Sequence, residues 1–361
     1  MFKINAIQTR SYVYIFSLFI VLLFLYHIIV YSFFTSKVIA AKDSGYVGDL
    51  VRLSYQFDFI QLKKTENTLS KQHFEGSEYH GQKIDVLTIG DSFSNGGGSG
   101  KNAYYQDYIA SQNNYNVLNI KRLSFAGKGV TPTFFALFNS GVIEKIKPRI
   151  VILSIGSRDL VPRFAIPLDW EYKPDSQLID EEMKKMTPRD LISLQSEDVS
   201  IVNTANFKLP YFTLMYNFTP CYKQVCKFPL KESLFSNTTD KEILVYKKSV
   251  KGLYTSTPEN VKNANRNLNR IAEMLKEKGI KMYLMPAVSK YDLYSDFIES
   301  NPYSKDPLFD LLEPLKKEYT LINTKKILLP LLKNGVEDVF YADDTHWSYK
   351  ASEAIFTETK F

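Results

Sequence analysis

The first pattern along the chain is a long apolar run near its N-terminus. Residues 13–30 have the sequence VYIFSLFIVLLFLYHIIV, in which Ser17 and His27 are the only clearly polar side chains. About twenty helical residues, at about 1.5 Å each, cross the hydrocarbon core of a bilayer. The pattern therefore predicts one transmembrane helix over residues 12–34, preceded by a short cytoplasmic tail over residues 1–11.

The charges around this run indicate its orientation. Lys3 and Arg10 in the short leader favour a cytoplasmic N-terminus, whereas Lys37 and Lys42 on the far side oppose that orientation. We expect an uncleaved anchor with the rest of the chain outside the cytoplasm. A cleaved signal peptide is the alternative, because residues 38–40 resemble a cleavage site, but the apolar run exceeds the usual length of about 7–15 residues.

Beyond the anchor, residues 35–80 are mixed and polar, and we expect a stalk there with one amphipathic helix near residues 47–63. Short apolar runs then alternate with helical patterns. The strand candidates are residues 84–89, 116–120, 150–155, 280–285 and 320–323. The clearest helix begins at Thr257-Pro258, with apolar residues every three or four positions, and stops at Gly279. Alternating strands and helices predict an α/β domain with a mainly parallel sheet.

Composition narrows the function classes. The 361 residues include 16 Gly and 15 Pro, which excludes a collagen-like or low-complexity chain. The net charge of +6 is spread along the chain without a Lys/Arg block, so nucleic acid is not indicated as a partner. The two cysteines, Cys221 and Cys226, are spaced to close a small disulfide outside the cytoplasm. Two free thiols are the alternative, and a metal site is disfavoured because no further ligands lie nearby.

The first chemical candidate is the turn after the first strand of the domain. Gly90-Asp91-Ser92 follows this strand directly, and a glycine-rich stretch continues over residues 95–100. A serine in a tight turn at the carboxyl edge of a sheet presents its hydroxyl as a nucleophile requires. An ordinary surface turn is the alternative. The glycines do not have the spacing of a phosphate-binding loop, so that interpretation is rejected.

A serine nucleophile needs a base, and the chain has four histidines. His27 falls in the apolar run, and two others fall in the predicted stalk. His346 instead lies near the C-terminus, in a segment that also carries Asp343 and Asp344. A carboxylate two or three residues before a histidine can fold back onto its Nδ1–H and orient the ring toward the serine. A surface turn with a capping carboxylate is the alternative.

The order of these two segments resembles the SGNH (GDSL) hydrolase superfamily, in which a serine after the first strand and an Asp-x-x-His near the end form a triad. The resemblance implies a three-layer α/β/α sandwich. It implies that Ser92, His346 and Asp343 are catalytic, with Asp344 as the alternative acid. The implied oxyanion hole consists of the Ser92 and Gly127 backbone N–H groups, with Gly129 as the second choice for the glycine.

One position departs from the family pattern. Gly156-Ser157-Arg158-Asp159 stands where the family has Gly-x-Asn-Asp, so Arg158 replaces the usual asparagine donor of the oxyanion hole. A guanidinium could still donate to an oxyanion. An ion pair with Asp159 at the rim is the alternative. A similar Arg-Asp-Leu occurs in SGNH-like proteins of the alginate O-acetyltransferase type.

The resemblance covers residues 82–160 and 255–361 of a catalytic domain at 81–361, with an insertion at 161–251. It implies an extracytoplasmic O-acetyltransferase acting on a polysaccharide, supplied with acyl groups by a membrane-bound O-acyltransferase partner. It implies neither a cofactor nor a metal. Two other functions stay open: a carbohydrate acetylesterase with the same triad, and a non-catalytic glycan-binding or assembly protein that retains the fold.

Overall fold

The computed structural model describes residues 6–36, 47–61, 63, 68–98, 102–127, 129–187, 200–237, 239–251 and 255–361. The N-terminal helix α1 spans Ala6–Val30 and continues as a π-helical turn over Tyr31–Thr35. Its segment Thr9–Phe33 is long and apolar enough to cross a membrane. Most of its large apolar side chains are exposed on the protein.

The rest of the described chain is built on one parallel sheet. Within the described residues this sheet has six strands in the order β1-β3-β2-β4-β8-β9, and every neighbouring pair is parallel. The strands are β1 (Phe74–Glu75), β2 (Val86–Gly90), β3 (Val117–Lys121), β4 (Ile150–Gly156), β8 (Lys281–Ala287) and β9 (Thr320–Leu321). Five of them lie where the apolar runs predict strands. The two-residue β1 was missed because it is too short to show a pattern.

Helices pack on both faces of the sheet, because its central strands bury alternate side chains in two separate cores. On one face are α4 (Val130–Asn139), α5 (Val142–Ile146), α6 (Ser157–Phe164), α7 (Ser176–Lys184), α10 (Pro258–Glu277) and α12 (Leu308–Leu312). On the other are α2 (Asp49–Ser54), α3 (Tyr105–Asn113), α8 (Ala205–Phe218), α9 (Lys247–Lys251), α11 (Lys290–Tyr294), α13 (Thr324–Lys333) and α14 (Tyr349–Glu358).

Helix α10 forms as its sequence predicts. The side chain of Thr257 accepts a hydrogen bond from the Asn260 N–H, and Pro258 occupies the first helical position. The apolar positions Val261 to Leu275 are buried against the sheet, and Gly279 follows in a left-handed conformation. The N-cap and the 3.6-residue period are together enough to predict this helix from its own residues.

The predicted insertion at residues 161–251 carries a small antiparallel sheet. Its strands are β5 (Cys221–Tyr222), β6 (Val225–Pro229) and β7 (Glu242–Tyr246). Cys221 lies opposite Cys226 in the β5–β6 pair, and the two form a disulfide with an S–S distance of 2.04 Å. Apolar side chains of β6 and β7 join the same core as α2, so the insertion packs on that face of the sheet.

The segment predicted as a stalk at residues 35–80 is packed into the domain where the structure describes it. Leu50 and Val51 are fully buried, and Phe59 joins the same core. The predicted amphipathic helix over 47–63 is also wrong, since α2 is only six residues long and a 3₁₀ turn follows over Phe57–Phe59. Several polar side chains of this segment are buried in the folded protein, so its polar composition does not indicate an exposed stalk.

Candidate active site

The carboxyl ends of β2 and β4 bring the first predicted motif to the edge of the sheet. Gly90 is the last residue of β2, and Asp91 begins the turn that follows. The Asp91 carboxylate accepts hydrogen bonds from the Gly156 N–H at 2.7 Å and from the Phe93 N–H at 3.1 Å. Asp91 therefore ties this turn to the end of β4 and fixes where Ser92 projects.

Ser92 and His346 are 254 positions apart in the chain and meet at this edge. The distance between Ser92 Oγ and His346 Nε2 is 2.8 Å, within hydrogen-bond range. The Phe93 ring packs edge-on against the imidazole, with 4.8 Å between ring centroids. A Cβ atom on Gly97 would lie 2.4 Å from His346 Nε2. The glycine-rich stretch thus gives the imidazole room to reach Ser92.

Asp344 orients the imidazole. Its Oδ1 accepts hydrogen bonds from the His346 Nδ1 at 2.6 Å and from the His346 backbone N–H at 3.0 Å. With Nδ1–H donating to the carboxylate, Nε2 is left to accept the Ser92 proton. Hydroxyl, imidazole and carboxylate are thereby connected through two hydrogen bonds.

Asp343, the first choice for the acid, makes no contact with His346 among the described residues, whereas the alternative, Asp344, does. Asp343 points away from the imidazole, and its Oδ2 accepts a hydrogen bond from the Gly48 N–H at 2.7 Å. Its backbone oxygen accepts from the N–H groups of Leu50 and Val51. Asp343 therefore binds the start of α2, and the tight turn after it leaves Asp344 to fold back onto His346.

Two buried lysines contact this acidic turn, and Lys63 is the one that pairs with its carboxylates. The Lys63 Nζ lies 3.4 Å from Asp344 Oδ2 and 3.8 Å from Asp343 Oδ1. The Lys290 Nζ donates to the backbone oxygens of residues 341, 342 and 344. Burial lowers the pKa of Lys290 to about 7, although the nearby carboxylates oppose that shift. Both amines thus contact the turn that carries Asp344.

The electrostatics of the triad favour an ion pair between Asp344 and His346. Burial is the largest single effect and would lower the pKa of His346, but the charge and hydrogen bond of Asp344, together with the charges of Asp49 and Asp91, outweigh it and raise the pKa. Burial alone would raise the pKa of Asp344, but charged His346 and Lys63 hold it well below its usual range. The pKa of Asp343 is raised to about 6 by burial, which Lys63 only partly offsets. Asp344 is thus the acid that stays charged beside the imidazole.

Asp49 supports the same turn from α2. Its carboxylate accepts from the Thr345 N–H at 2.8 Å and from the Thr345 hydroxyl at 2.6 Å. Asp49, Asp344 and His346 each offer a ligand atom close enough to the others to hold a metal ion. These atoms already bond to one another and to Thr345, and the Lys63 ammonium lies beside Asp344, so the donor set fits a hydrogen-bonded triad better than a cation site.

Gly127 and Gly129, the two candidates for the glycine of the oxyanion hole, lie in different surroundings. Gly127 lies in an exposed turn after β3, with a φ of +62°. Because β3 pairs in parallel with β2, this turn lies at the same sheet edge as Ser92. Gly129 is buried, and a Cβ there would contact Pro132.

The guanidinium of Arg158 does not face Ser92 in any contact of the described residues. It pairs with Asp159 at 3.4 Å and donates to the Ser249 hydroxyl at 3.3 Å. It also lies 5.2 Å from the centre of the Tyr246 ring. The insertion supplies two of these partners. Arg158 thus joins the insertion to the rim of the sheet. These contacts match the alternative of an ion pair with Asp159 rather than an oxyanion donor.

Two of the other three histidines make specific contacts in the fold. The side chain of His73, predicted in the stalk, is 6% exposed, and its Nδ1 lies 2.6 Å from Asp107 Oδ1. Burial lowers the pKa of His73, but its hydrogen bonds to Asp107 and Glu75 raise it to about 9. His27 Nδ1 lies 2.9 Å from Asn206 Nδ2, at the start of α8. Neither histidine contacts Ser92 in the described structure.

Three residues of this site carry no motif by which the sequence could have identified them: Asp49, Lys63 and Lys290. Gly97 is different, because it belongs to the glycine-rich stretch over residues 95–100. Asp49 and Lys63 lie almost 300 residues before the turn that they support. Only the folded chain shows that they meet it.

The connected hydroxyl, imidazole and carboxylate can deprotonate Ser92 and stabilise the imidazolium that results. The sheet edge leaves Ser92 partly exposed, so an acyl donor has access to the hydroxyl. No protein-family model, curated protein or solved structure matches this chain.

Proposed function

We propose that this chain is an SGNH-type serine enzyme that transfers acyl groups, with acetyl as the expected group, to a cell-surface or secreted polysaccharide. The observation that carries the proposal is the 2.8 Å contact of Ser92 Oγ with His346 Nε2, backed by the 2.6 Å contact of His346 Nδ1 with Asp344. Ser92 follows the first long strand, and His346 precedes the last helix. This order matches the resemblance found in the sequence.

In the first half-reaction, His346 Nε2 removes the Ser92 proton while Oγ forms a bond to the carbonyl carbon of the donor. The negative charge on the carbonyl oxygen is held by backbone N–H groups, for which Ser92 and Gly127 are the candidates. The intermediate then collapses, the bond to the leaving group breaks, and His346 returns the proton to that group. The products are acyl-Ser92 and the protonated leaving group.

In the second half-reaction, His346 accepts the proton of a sugar hydroxyl, whose oxygen attacks the acyl-Ser92 carbon. The Ser92–acyl bond breaks, the sugar ester forms, and Ser92 regains a proton from His346. Water in place of the sugar gives hydrolysis by the same steps. The choice between transferase and esterase therefore depends on acceptor binding and exclusion of water, not on the triad.

The apolar α1 supports the transferase over the esterase. As a membrane span with a cytoplasmic N-terminus, it would hold the catalytic domain outside the cytoplasm, where cytoplasmic acyl thioesters are absent. A transferase in that position needs an acyl group that has been exported across the membrane. We therefore expect a multispanning partner of the membrane-bound O-acyltransferase type to supply it.

The test is to capture the acyl-enzyme and follow its fate. The full chain in detergent is exposed briefly to p-nitrophenyl acetate, digested, and searched by mass spectrometry for an acetyl group on the Ser92 peptide. A panel of oligosaccharides is then added to the acetylated protein. Ser92→Ala is the negative variant, and Ser124→Ala is the matched control, because Ser124 is an exposed serine in the turn after β3 at the same sheet edge.

We expect acetyl on Ser92 in the native chain and in Ser124→Ala, and its loss with formation of an oligosaccharide ester. Loss of acetyl to water alone, with every acceptor and with membranes containing the partner, would show an esterase instead. No acetyl on Ser92 would favour the non-catalytic glycan-binding protein.

A further inference from the structure

Helix α8 in the insertion exposes a continuous apolar face. Phe207, Tyr211, Leu214 and Phe218 recur at spacings of four, three and four residues, so they share one face of the helix. Their side chains are exposed by 50%, 52%, 51% and 78%. The opposite face of α8 carries Phe212 and Tyr216, which are buried in the domain core. Soluble domains rarely expose such a stripe unless it binds another surface.

The scarcity of charged residues in α8 indicates that its exposed face contacts lipid rather than water. The fourteen residues Ala205–Phe218 contain one charged side chain, Lys208, and no acidic residue. The Lys208 ammonium lies 5.9 Å from the centre of the Tyr55 ring on the domain side. Exposed aromatic rings with a polar tip, such as Tyr211, suit the boundary between lipid headgroups and acyl chains.

The N-terminus of α8 is bound to the end of the apolar helix α1. The Tyr26 hydroxyl donates to the Asn206 backbone oxygen at 2.6 Å, and the Thr35 hydroxyl donates to Asn206 Oδ1 at 2.6 Å. The Tyr26 and Phe207 rings stack with 5.4 Å between their centroids. The first residue of the exposed stripe is therefore continuous with the surface of α1.

This contact sets the height of α8 along the membrane axis. The segment of α1 that is apolar enough to cross a membrane ends at Phe33, in the π-helical turn. Tyr26 and Thr35, which both bind Asn206, lie on either side of that end. Asn206 and the exposed stripe therefore begin at the outer boundary of the bilayer if α1 crosses it.

We infer that α8 lies in the outer interface of the same bilayer that α1 crosses, with Phe207, Tyr211, Leu214 and Phe218 facing the lipid. The inference rests on the membrane anchoring in the proposed function and is independent of acyl transfer. Helix α8 then gives the catalytic domain a second attachment and holds it against the membrane.

Fluorescence quenching by brominated lipid tests this arrangement in the full chain. Leu214→Trp adds a fluorophore to the exposed face of α8. Leu178→Trp is the matched control, because Leu178 is 48% exposed on α7, which packs on the opposite face of the sheet. Leu22→Trp in the middle of α1 reports insertion of the span. Each variant is reconstituted in nanodiscs of ordinary or dibrominated phosphatidylcholine, and the emission of the native chain is subtracted.

An apolar face buried about 5–10 Å into the headgroup boundary lies within reach of the bromines, so we expect about a twofold loss of the added emission in Leu214→Trp. We expect the same or greater loss in Leu22→Trp and none in Leu178→Trp. Quenching of Leu22→Trp without quenching of Leu214→Trp would overturn the inference and indicate that a protein partner or solvent meets this face. Quenching of neither variant would overturn the membrane span and the inference together. None of these outcomes depends on whether Ser92 is acylated.

Discussion

Replacing Asp344 by asparagine tests the triad at its least obvious member. Among the described residues, every close contact to this carboxylate comes from a donor: the two N–H groups of His346 on Oδ1, and the Asp49 N–H and Lys63 Nζ on Oδ2. An asparagine amide must therefore place its NH₂ group against donors in either orientation. The variant keeps the size of the side chain and changes only its charge and hydrogen bonding.

The two orientations of the amide bracket the expected loss. In the first orientation the NH₂ group faces His346, so Nδ1 must accept a hydrogen bond and Nε2 carries the ring proton. The imidazole can then no longer deprotonate Ser92, and kcat falls about 10⁴-fold in a triad of this kind. If the amide oxygen faces His346, the loss is that of one hydrogen bond to a charged group, about 1.5–3 kcal/mol, or about 10- to 10²-fold. The second orientation places the NH₂ group against the Lys63 ammonium, which disfavours it. We therefore expect a loss of about 10²- to 10⁴-fold.

Asp343→Asn is the matched control. The Asp343 Oδ2 accepts from Gly48, and its Oδ1 has no hydrogen-bond partner among the described residues, so an amide loses no hydrogen bond there and only the 3.8 Å ion pair with Lys63. We expect less than about a tenfold change in kcat for this variant, since that corresponds to under about 1.4 kcal/mol.

The assay is the initial burst of p-nitrophenol from p-nitrophenyl acetate at pH 8, with Ser92→Ala as the zero point. Circular dichroism and thermal unfolding of each variant establish that it is folded. The assignment would be refuted if Asp343→Asn lost as much activity as Ser92→Ala while Asp344→Asn stayed within tenfold of the native chain.

Three further predictions follow from the same geometry. Gly97→Ala should slow acetylation of Ser92 by about 10²-fold, because the added methyl displaces the His346 ring and misplacing a reacting group by about 1 Å costs that much; an unchanged burst rate would contradict this. Lys63→Met should lower the free energy of unfolding in urea by about 3–5 kcal/mol, since it leaves the buried Asp344 region without its cation; a loss below about 1 kcal/mol would count against the ion pair. The raised pKa of His73, about 9 against 6.5 unfolded, contributes stability that is complete below pH 6.5 and is lost as the pH rises to 9. Its contribution is up to about 3 kcal/mol, so His73→Gln should flatten the fall in urea stability between pH 6.5 and 9, and parallel curves for the two proteins would contradict the shift.

Parts of this architecture are local in origin, and the sequence predicts them. The strand before Gly90 is a short apolar run that ends at a turn, and α10 has its own N-cap, proline and glycine stop. These features depend on residues within a few positions of one another. The parallel order of the strands follows from their alternation with helices.

The choice between Asp343 and Asp344 is not local. Both carboxylates are close enough in sequence to His346, and the turn alone permits either. The choice is made by the start of α2, almost 300 residues earlier, where the N–H groups of Gly48, Leu50 and Val51 bind the side-chain and backbone oxygens of Asp343. The same long-range packing explains why residues 35–80 resembled a stalk, since the partners that bury them lie elsewhere in the chain.

The central claim is that His346 activates Ser92, and covalent labelling with a fluorophosphonate tests it most directly. Such reagents modify serines whose proton is removed by a neighbouring base, and they require no knowledge of the natural donor. The account predicts that the label is found on the Ser92 peptide of the native chain and is absent in His346→Gln. Absence of label from Ser92 in the folded native chain, or labelling at an equal rate in His346→Gln, would contradict it.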